Sequence, residues 1–267
     1  MSGILGAEQG LFGRATLFDI REPVADHAHP HVHLLFKVSG SDRGLNVAGE
    51  DVVLADENCL LVNPWQRHAD VPELCVDPTV MLALYVDADY LADHYDLRPT
   101  FIATSRTLSA AGRQRVGAVS SMLALGRDAD DRQLEDAVLA LVDEAFDRGG
   151  AEDESSAVFD YRIRRAMAQL KEKPRLHPDF AEIASNVGLS RSRFFEQFKK
   201  SLGIAPAMYV DGLLLEVAIE MLVHSDRPIE EISAALGFSA QSSFTRFVKD
   251  RVGFPPNSLR HAAAVHH

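Results

Sequence analysis

The sequence has few of the features that mark exported, membrane-spanning or disulfide-stabilised proteins. Only two cysteines occur among the 267 residues, Cys59 and Cys75, and their spacing matches no metal-binding pattern and no disulfide framework. No run of about 18 uncharged apolar residues is present, and the first residues lack a basic start followed by an apolar stretch. We therefore expect a cytoplasmic protein with no export signal and no membrane span.

Basic residues are also too few, over the whole chain, for a nucleic-acid binder. The 27 Lys and Arg stand against 39 Asp and Glu, for a formal net charge of −12, whereas neutralisation of phosphates by basic side chains supplies most non-specific affinity. The charge is unevenly distributed, however. Residues 1–150 carry 12 basic and 24 acidic side chains, while residues 161–267 carry 15 and 11. Only the C-terminal part is suited to a polyanion.

The length and the 46% apolar composition predict two domains with separate cores. Short β-type runs, separated by Gly, Asp and Asn, dominate the first ninety residues, as in a small sandwich or barrel. They lie at 15–20, 32–39, 59–63 and 80–86. From about residue 109 the periodicity is helical, with candidate helices at 109–125 and 131–147. We place the first domain at 1–150, its helical hairpin at 109–148, and a polar linker at 151–159.

The second helix of the hairpin carries an apolar stripe. Its members are Leu134, Val138, Leu141, Val142 and Ala145. The stripe is consistent with packing on the β-rich domain and also with a dimer surface, and the sequence leaves both interpretations open.

The C-terminal region contains an internal repeat. EIASNVGLS at 182–190 matches EISAALGFS at 231–239 at an offset of 49, and beyond this point the offset becomes 50. Each unit has the pattern of a helix, a glycine turn, a serine N-cap and a second helix, which is typical of a helix-turn-helix. The turn and cap positions are Gly188 and Ser190 in the first unit, and Gly237 and Ser239 in the second.

The repeat, followed by GFPPNSLR at 253–260, resembles the C-terminal domain of AraC/XylS-family transcription regulators over residues 160–262. The resemblance implies a first unit at about 179–200, a linker helix at about 207–223 and a second unit at about 228–250. The second helices of the two units would enter successive major grooves, about 34 Å apart on one face of the DNA. The linker helix has Leu214 and Val217 where the family often carries basic residues, so we expect it to pack against the N-terminal domain or a partner.

By the same resemblance, Arg246 is the predicted base-reading residue, because a guanidinium can donate hydrogen bonds to both O6 and N7 of guanine. Lys199, Lys200, Lys249 and Arg251 are expected to hold phosphates. The complete predicted DNA-contact set is Arg191, Ser192, Arg193, Phe195, Glu196, Lys199, Lys200, Gln241, Ser242, Ser243, Thr245, Arg246, Lys249 and Arg251.

Two members of this set are atypical of the family and allow two interpretations. Phe195 and Glu196 either contact thymine methyl groups and cytosine N4, or Glu196 repels phosphate and the first unit binds weakly.

A histidine-rich segment, HAHPHVH, places His27, His29, His31 and His33 at alternate positions. An extended strand would put all four on one face, from which imidazoles can converge on a metal ion. His31 beside Pro30 is also consistent with a surface position near a strand start.

The segment from His27 to Gly40 resembles the first cupin motif, with His33 in place of its glutamate, and NPWQRH ending at His68 resembles the second. Arg21, Glu57 and Gln66 stand where those motifs have glycine. AraC-type regulators commonly hold an effector in a cupin barrel without metal, and we prefer this interpretation. The predicted effector-binding set is His27, His29, His33, Phe36, Trp65 and His68. A divalent metal on His27, His29, His33 and His68 is the alternative.

The sequence thus predicts a two-domain α+β protein, with an N-terminal cupin-like β-barrel carrying a helical hairpin and a C-terminal all-α double helix-turn-helix domain. We expect a non-enzymatic transcription regulator that binds double-stranded DNA, a small-molecule effector and RNA polymerase, and that forms a homodimer. The alternatives are a metal-binding cupin enzyme fused to a DNA-binding module, and a regulator controlled by a protein partner.

Overall fold

A computed structural model describes residues 2–75, 77–95, 99–101, 103–125, 131–146, 151–153 and 160–264. The strands are β1 (Gly3–Gly10), β2 (Gly13–Ile20), β3 (Val32–Gly40), β4 (Arg43–Val47), β5 (Glu50–Leu54), β6 (Asn58–Val62), β7 (His68–Asp70), β8 (Thr79–Val86), β9 (Pro99–Phe101), β10 (Ser105–Thr107) and β11 (Ala151–Asp153). The helices are α1 (Ala88–Tyr95), α2 (Ala110–Leu125), α3 (Asp131–Phe146), α4 (Tyr161–Glu172), α5 (Phe180–Asn186), α6 (Arg191–Leu202), α7 (Pro206–His224), α8 (Ile229–Ala235), α9 (Gln241–Val252) and α10 (Pro256–Ala264). The predicted two-domain α+β fold is confirmed.

Two antiparallel sheets face each other in the N-terminal domain. The larger has the order β1-β2-β8-β3-β6-β10 and the smaller has the order β5-β4-β7. The four β-type runs of the sequence are β2, β3, β6 and β8, which lie in the interior of the larger sheet. Alternate side chains of β3 point to opposite faces: Leu35 lies between the sheets, and Leu34 lies on the outer face.

Helices α2 and α3 cover the outer face of the larger sheet. The apolar stripe of α3 is buried there together with Val116, Val119 and Leu123 of α2. The interpretation that the stripe packs on the β domain is therefore correct, and the stripe is not free to form a dimer surface. Residues 126–130, between the two helices, lie outside the described part of the chain.

The first three residues of the predicted linker at 151–159 form a strand in the structure. Ala151–Asp153 form β11, which pairs with β9 through Ala151 and Phe101. A polar segment can form such a pair because only its backbone takes part in the ladder. Residues 154–159 lie outside the described residues.

The C-terminal domain consists of two helix-turn-helix units, α5–α6 and α8–α9, joined by the continuous helix α7. Gly188 and Gly237 have φ of 72° and 86°, the left-handed conformation that glycine adopts without a Cβ penalty. Phe194, Phe198 and Phe244 are fully buried in one core with the apolar side of α7.

The two recognition helices begin differently. Ser190 accepts a hydrogen bond from the Arg193 amide and caps α6, as predicted. The prediction that Ser239 caps α9 is wrong: the N-cap is Ala240, which has no side chain to accept a bond. The extra residue in the second turn moves the helix start one position along the chain.

Among the described residues no single helix has the length and apolar composition to cross a membrane, although α6 and α7, taken as a bent pair, meet both criteria.

Candidate nucleic-acid interface and histidine site

The second helix of the first unit, α6, presents a polar face to solvent. Phe194 and Phe198 point into the core, and the helical period turns the intervening side chains outward. The exposed members of the predicted DNA-contact set on this helix are Arg191, Ser192, Arg193, Glu196, Lys199 and Lys200.

Two side chains on this face have partners of their own. Arg193 donates to both carboxylate oxygens of Glu196, at 2.8 and 3.0 Å. This exposed i,i+3 pair contributes little stability, but it places a cation beside the carboxylate. Phe195 is half-buried, with its ring 5.3 Å from that of Phe180 and the Arg191 guanidinium 4.9 Å from its centroid. Phe195 is therefore partly a packing residue.

The corresponding helix of the second unit, α9, begins with an uninterrupted exposed polar surface. Gln241, Ser242, Ser243 and Arg246 are exposed, and Thr245 is half-buried. Within the described residues Arg246 forms no ion pair, so its guanidinium is available to an external acceptor. The predicted base-reading residue therefore lies at the solvent face of the recognition helix.

The two remaining predicted phosphate contacts of α9 face other parts of the protein. Lys249 pairs with Glu22 at 2.7 Å, and this contact lowers the pKa of the Glu22 carboxyl. Arg251 donates to Asp211 of α7, and its guanidinium lies 4.1 Å from the centroid of the Phe247 ring. At 3.6 residues per turn, Arg251 is about 140° around the helix from Arg246. In this arrangement Arg251 does not share the exposed surface that carries Arg246, contrary to the prediction.

The end of α9 docks against the open end of the β domain. The Ala25 amide donates to the carbonyl of Asp250 at 2.8 Å. Phe254, which is fully buried, stacks on Phe18 between the two sheets with ring centroids 4.9 Å apart. The second helix-turn-helix unit and the β domain thus share a hydrophobic contact.

Helix α7 also packs against the β domain, as its lack of basic residues led us to expect. Gly212 lies so close to the β domain that a Cβ on it would be 2.5 Å from the carbonyl oxygen of Ala28. Beside this contact, the ring of Trp65 packs on Tyr209 with centroids 4.2 Å apart. Because Tyr209 follows Trp65 by more than a hundred residues, no local sequence signal pairs them.

Four histidines converge where the two sheets meet. His27 and His68 exchange both backbone hydrogen bonds, at 3.0 Å each, and their ring centroids are 4.2 Å apart. His29 lies within 5.0 Å of His68 and 4.8 Å of His33, centroid to centroid. Nitrogen atoms of His27, His29 and His68 all lie within 4.8 Å of one another. We call His27, His29, His33 and His68 the histidine cluster.

His31 does not join this cluster, so the expectation that the four alternating histidines share one face is wrong. Strand β3 begins only at Val32, and residues 30 and 31 form a bend. The bend turns His31 toward α7, where its Nδ1 is 3.7 Å from Glu216.

Burial disfavours the protonated, positively charged form of each imidazole in the histidine cluster. It lowers the pKa of His27 to about 4 and that of His68 to about 3. The pKa values of His29 and His33 also lie well below the usual value, first through burial and then through repulsion from the neighbouring histidines. All four rings are therefore neutral at pH 7, which is the state that binds metal ions.

Two cavities lie near these residues. A cavity of about 30 Å³ adjoins His27, His33 and His68, and a cavity of about 640 Å³ lies between the β domain and the C-terminal helices. The first has room for about one water molecule, whereas organic ligands occupy cavities of about 300 to 1,000 Å³.

The predicted apolar walls of the histidine site are wrong in position. His33 and Leu35 lie on the inner face of β3, and Phe36 lies on the opposite, outer face. There Phe36 packs under α2 and α3. Trp65 lines the larger cavity and not the histidine cavity. Trp65 has φ of 62°, a backbone conformation that sequence periodicity does not anticipate.

Comparison with protein families and curated proteins identifies the C-terminal domain. Residues 183–262 match a family described as a helix-turn-helix domain. Over 76 residues the chain is 33% identical to the probable transcriptional regulator LumQ of Photobacterium leiognathi, covering 28% of this chain and 31% of LumQ. Over 101 residues it is 27% identical to the transcriptional activator RhaS of Salmonella schwarzengrund, covering 38% of this chain and 36% of RhaS. The chain thus spans about a third of the length of these curated relatives.

Comparison with solved structures extends over both domains. A single-residue variant of apo ToxT from Vibrio cholerae has a TM-score of 0.62 at 9% identity, covering 95% of this chain and 98% of that one. Wild-type ToxT with an unsaturated fatty acid bound has a TM-score of 0.58 at 11% identity, covering 92% and 94%. At such low identity the likeness concerns the fold alone.

Proposed function

Because residues 183–262 match a helix-turn-helix family and form two such units joined by one helix, we propose that the chain is an AraC-type, sequence-specific DNA-binding transcription regulator controlled by a small-molecule effector. The observation that carries the proposal is the pair of exposed polar faces on α6 and α9, held by the continuous helix α7. One protomer can then present both helices to successive major grooves. The relatives named as transcription regulators support a non-enzymatic role, and RhaS supports the role of an activator.

Replacement of the base-reading arginine tests this proposal. The Arg246→Ala variant should lose about 1 to 3 kcal/mol of affinity for a DNA site selected from a random library, and it should lose preference at one base pair. Fluorescence anisotropy with the selected duplex and with its single-base variants measures both effects. The matched control is Arg113→Ala, which removes an exposed arginine from α2 in the β domain. Unchanged affinity and unchanged preference in Arg246→Ala would contradict the assignment.

The larger cavity is the proposed effector site, in place of the barrel interior that the sequence favours. It is lined from the β domain by His31 and Trp65 and from α7 by Tyr209, Leu213 and Val217. A ligand there touches both domains at once, so it can stabilise one relative arrangement of the DNA-reading units over another. The mixed apolar and polar lining is consistent with an amphipathic organic molecule. ToxT, which shares the fold, has been solved with an unsaturated fatty acid.

A thermal-shift screen with a metabolite library tests this placement, because a ligand selective for the folded state raises the melting temperature. The Val217→Phe variant fills part of the cavity. Each positive compound should lose its shift in this variant, while the affinity of the unliganded variant for DNA serves as the folding control. Shifts of equal size in the variant and the unmodified protein would place the effector elsewhere.

Two further partners belong to the proposal. RNA polymerase is the expected partner of an activator, and a homodimer is the expected assembly. Because the stripe of α3 is buried, a dimer would have to use another surface. Light scattering at increasing protein concentration measures the assembly, and a constant monomer mass would remove the dimer from the proposal.

A further inference from the structure

The proposed effector cavity leaves the histidine cluster without a role. Its four imidazoles have exposed fractions of 8% or less, and three of them, those of His27, His33 and His68, line a cavity of about 30 Å³. We propose that His27, His29 and His68, with His33 beside them, bind one divalent transition-metal ion that acts as a second regulatory signal.

Backbone hydrogen bonds fix the tautomers of two of these rings. Nδ1 of His27 lies 2.8 Å from the carbonyl oxygen of Ala25, and Nδ1 of His68 lies 2.9 Å from that of Gln66. A carbonyl can only accept, so Nδ1 carries the proton in both rings and the lone pair is on Nε2. Metal-binding histidines are oriented in this way, with the second ring nitrogen donating to a carbonyl or carboxylate.

The other two rings leave further nitrogen atoms without partners. Nε2 of His29 and Nδ1 of His33 are 3.0 Å apart, so one donates to the other. Among the described residues, Nδ1 of His29, Nε2 of His33 and Nε2 of His68 are buried without any hydrogen-bond partner. A buried polar atom left unpaired costs about 1 to 3 kcal/mol. If Nε2 of His29 carries the proton of this pair, Nδ1 of His29 has a lone pair, and Nε2 of His33 carries a proton and is no ligand. A bound cation would then satisfy Nδ1 of His29 and Nε2 of His68.

The spacing of the rings suits a single ion. Nitrogen atoms at about 2.0 to 2.1 Å around a tetrahedral ion place the ring centres about 5 Å apart. The centroid separations among His27, His29 and His68 are 4.2, 5.0 and 5.9 Å. Neutral imidazoles favour Zn²⁺, Co²⁺, Ni²⁺ or Cu²⁺ over Mg²⁺ and Ca²⁺, which prefer oxygen. The nearby carboxylate of Asp70 is bound to Arg43 and does not join the set.

The histidine cluster also faces the DNA-binding domain. Arg251, at the end of α9, lines the same small cavity as His27, His33 and His68. Two positive charges on an ion there would repel this guanidinium and weaken the docking of α9 on the β domain. Metal binding would therefore change DNA affinity. This coupling rests on the proposed function, but the metal site itself does not.

Metal titration of the protein tests the site. Protein dialysed against a chelator should bind one Zn²⁺ or Co²⁺ per chain by elemental analysis, and Co²⁺ should give the visible absorption of a low-coordinate site. His68→Gln should weaken binding by more than about 100-fold, since loss of an outer-shell partner alone costs 10 to 100-fold. The matched control is His31→Gln, which removes a histidine of the same segment outside the cluster and should bind like the unmodified protein. Circular dichroism of each metal-free variant verifies folding.

The outcomes separate the site from its coupling and from DNA binding. Substoichiometric binding by the unmodified protein, or equal binding by His68→Gln and the unmodified protein, would overturn the metal site. A DNA affinity that changes with metal in the unmodified protein and not in Arg251→Met supports the coupling. Bound metal with unchanged DNA affinity would overturn the coupling and leave the site standing. Absence of all specific DNA binding would overturn the proposed function while the titration still tests the site.

Discussion

The close approach of α7 to the β domain leads to a prediction in which two glycine-to-alanine changes have opposite effects. Alanine favours a helix over glycine by about 0.5 to 1 kcal/mol. At Gly117 of α2 an added Cβ meets nothing within 4 Å, so Gly117→Ala should gain this amount. At Gly212 the same Cβ would lie 2.5 Å from the Ala28 carbonyl oxygen and 2.9 Å from the Trp65 ring.

The contacts at Gly212 are too short for any rotamer change to relieve, because one of the two atoms belongs to the backbone. Helix α7 must move away from the β domain, and overpacking of this kind typically costs about 1 to 3 kcal/mol. After the gain in helix propensity, Gly212→Ala should still destabilise the docked arrangement by about 1 to 2 kcal/mol.

Urea denaturation followed by tryptophan fluorescence measures this difference. The chain has one tryptophan, Trp65, and its ring lies at the contact and packs on Tyr209. The transition midpoint should fall in Gly212→Ala and rise in Gly117→Ala, relative to the unmodified protein. Equal midpoints in the two variants would refute the docking of α7 on the β domain.

Three further predictions concern the two cores and the histidine cluster. Arg43→Met leaves the carboxylate of Asp70, whose side chain is 3% exposed, buried without its partner, so denaturation should show a loss of about 3 to 5 kcal/mol, most of it recovered when Asp70→Leu is added. Phe244→Ala, in the fully buried core of the second unit, should cost about 3 to 5 kcal/mol and abolish specific DNA binding in the anisotropy assay. Since burial lowers the pKa of His27 to about 4 and that of His68 to about 3, the unfolded chain binds protons that the folded chain does not. Stability of the metal-free protein should therefore fall as the pH drops below about 6.5, by up to about 1.4 kcal/mol per pH unit for each histidine, and a flat profile between pH 7 and 5 would contradict this burial.

The C-terminal domain was predictable from the sequence because its determinants are local. Glycine turns, apolar periodicity and the repeat define α5, α6, α8 and α9 within a few residues. The cap at Ser239 was predicted incorrectly because the offset of the repeat changes from 49 to 50 at that point. A shift of one residue in a turn leaves the helices intact and exchanges a serine cap for Ala240.

The β domain was predictable only in its centre. Strands β2, β3, β6 and β8 are buried on both faces and are rich in apolar residues, whereas β1 and β5 are edge strands with polar or glycine-rich sequences. Their pairing depends on the backbone of a neighbouring strand and leaves little trace in side-chain pattern.

The apolar character of α7 indicated that it packs on the β domain or a partner, but the individual residue contacts between the domains were not predictable, because they join residues far apart along the chain. The roles of Trp65 and Arg251 depend on how the β domain and the C-terminal helices meet. Sequence patterns and family resemblance describe each unit alone. On that basis Trp65 was assigned to a cavity wall beside the histidines, and Arg251 was assigned to a phosphate contact. The structure places both at the boundary between the β domain and the C-terminal helices.

The central claim is that α6 and α9 of one protomer read two half-sites on the same face of DNA. Its most direct test is the affinity of the protein for a selected site before and after insertion of about 5 base pairs, half a helical turn, between the half-sites. The insertion should reduce affinity to that of a single half-site, and a second insertion that completes the turn should not restore it, since α7 fixes the separation. Equal affinity for the original site and the half-turn insertion would contradict the claim.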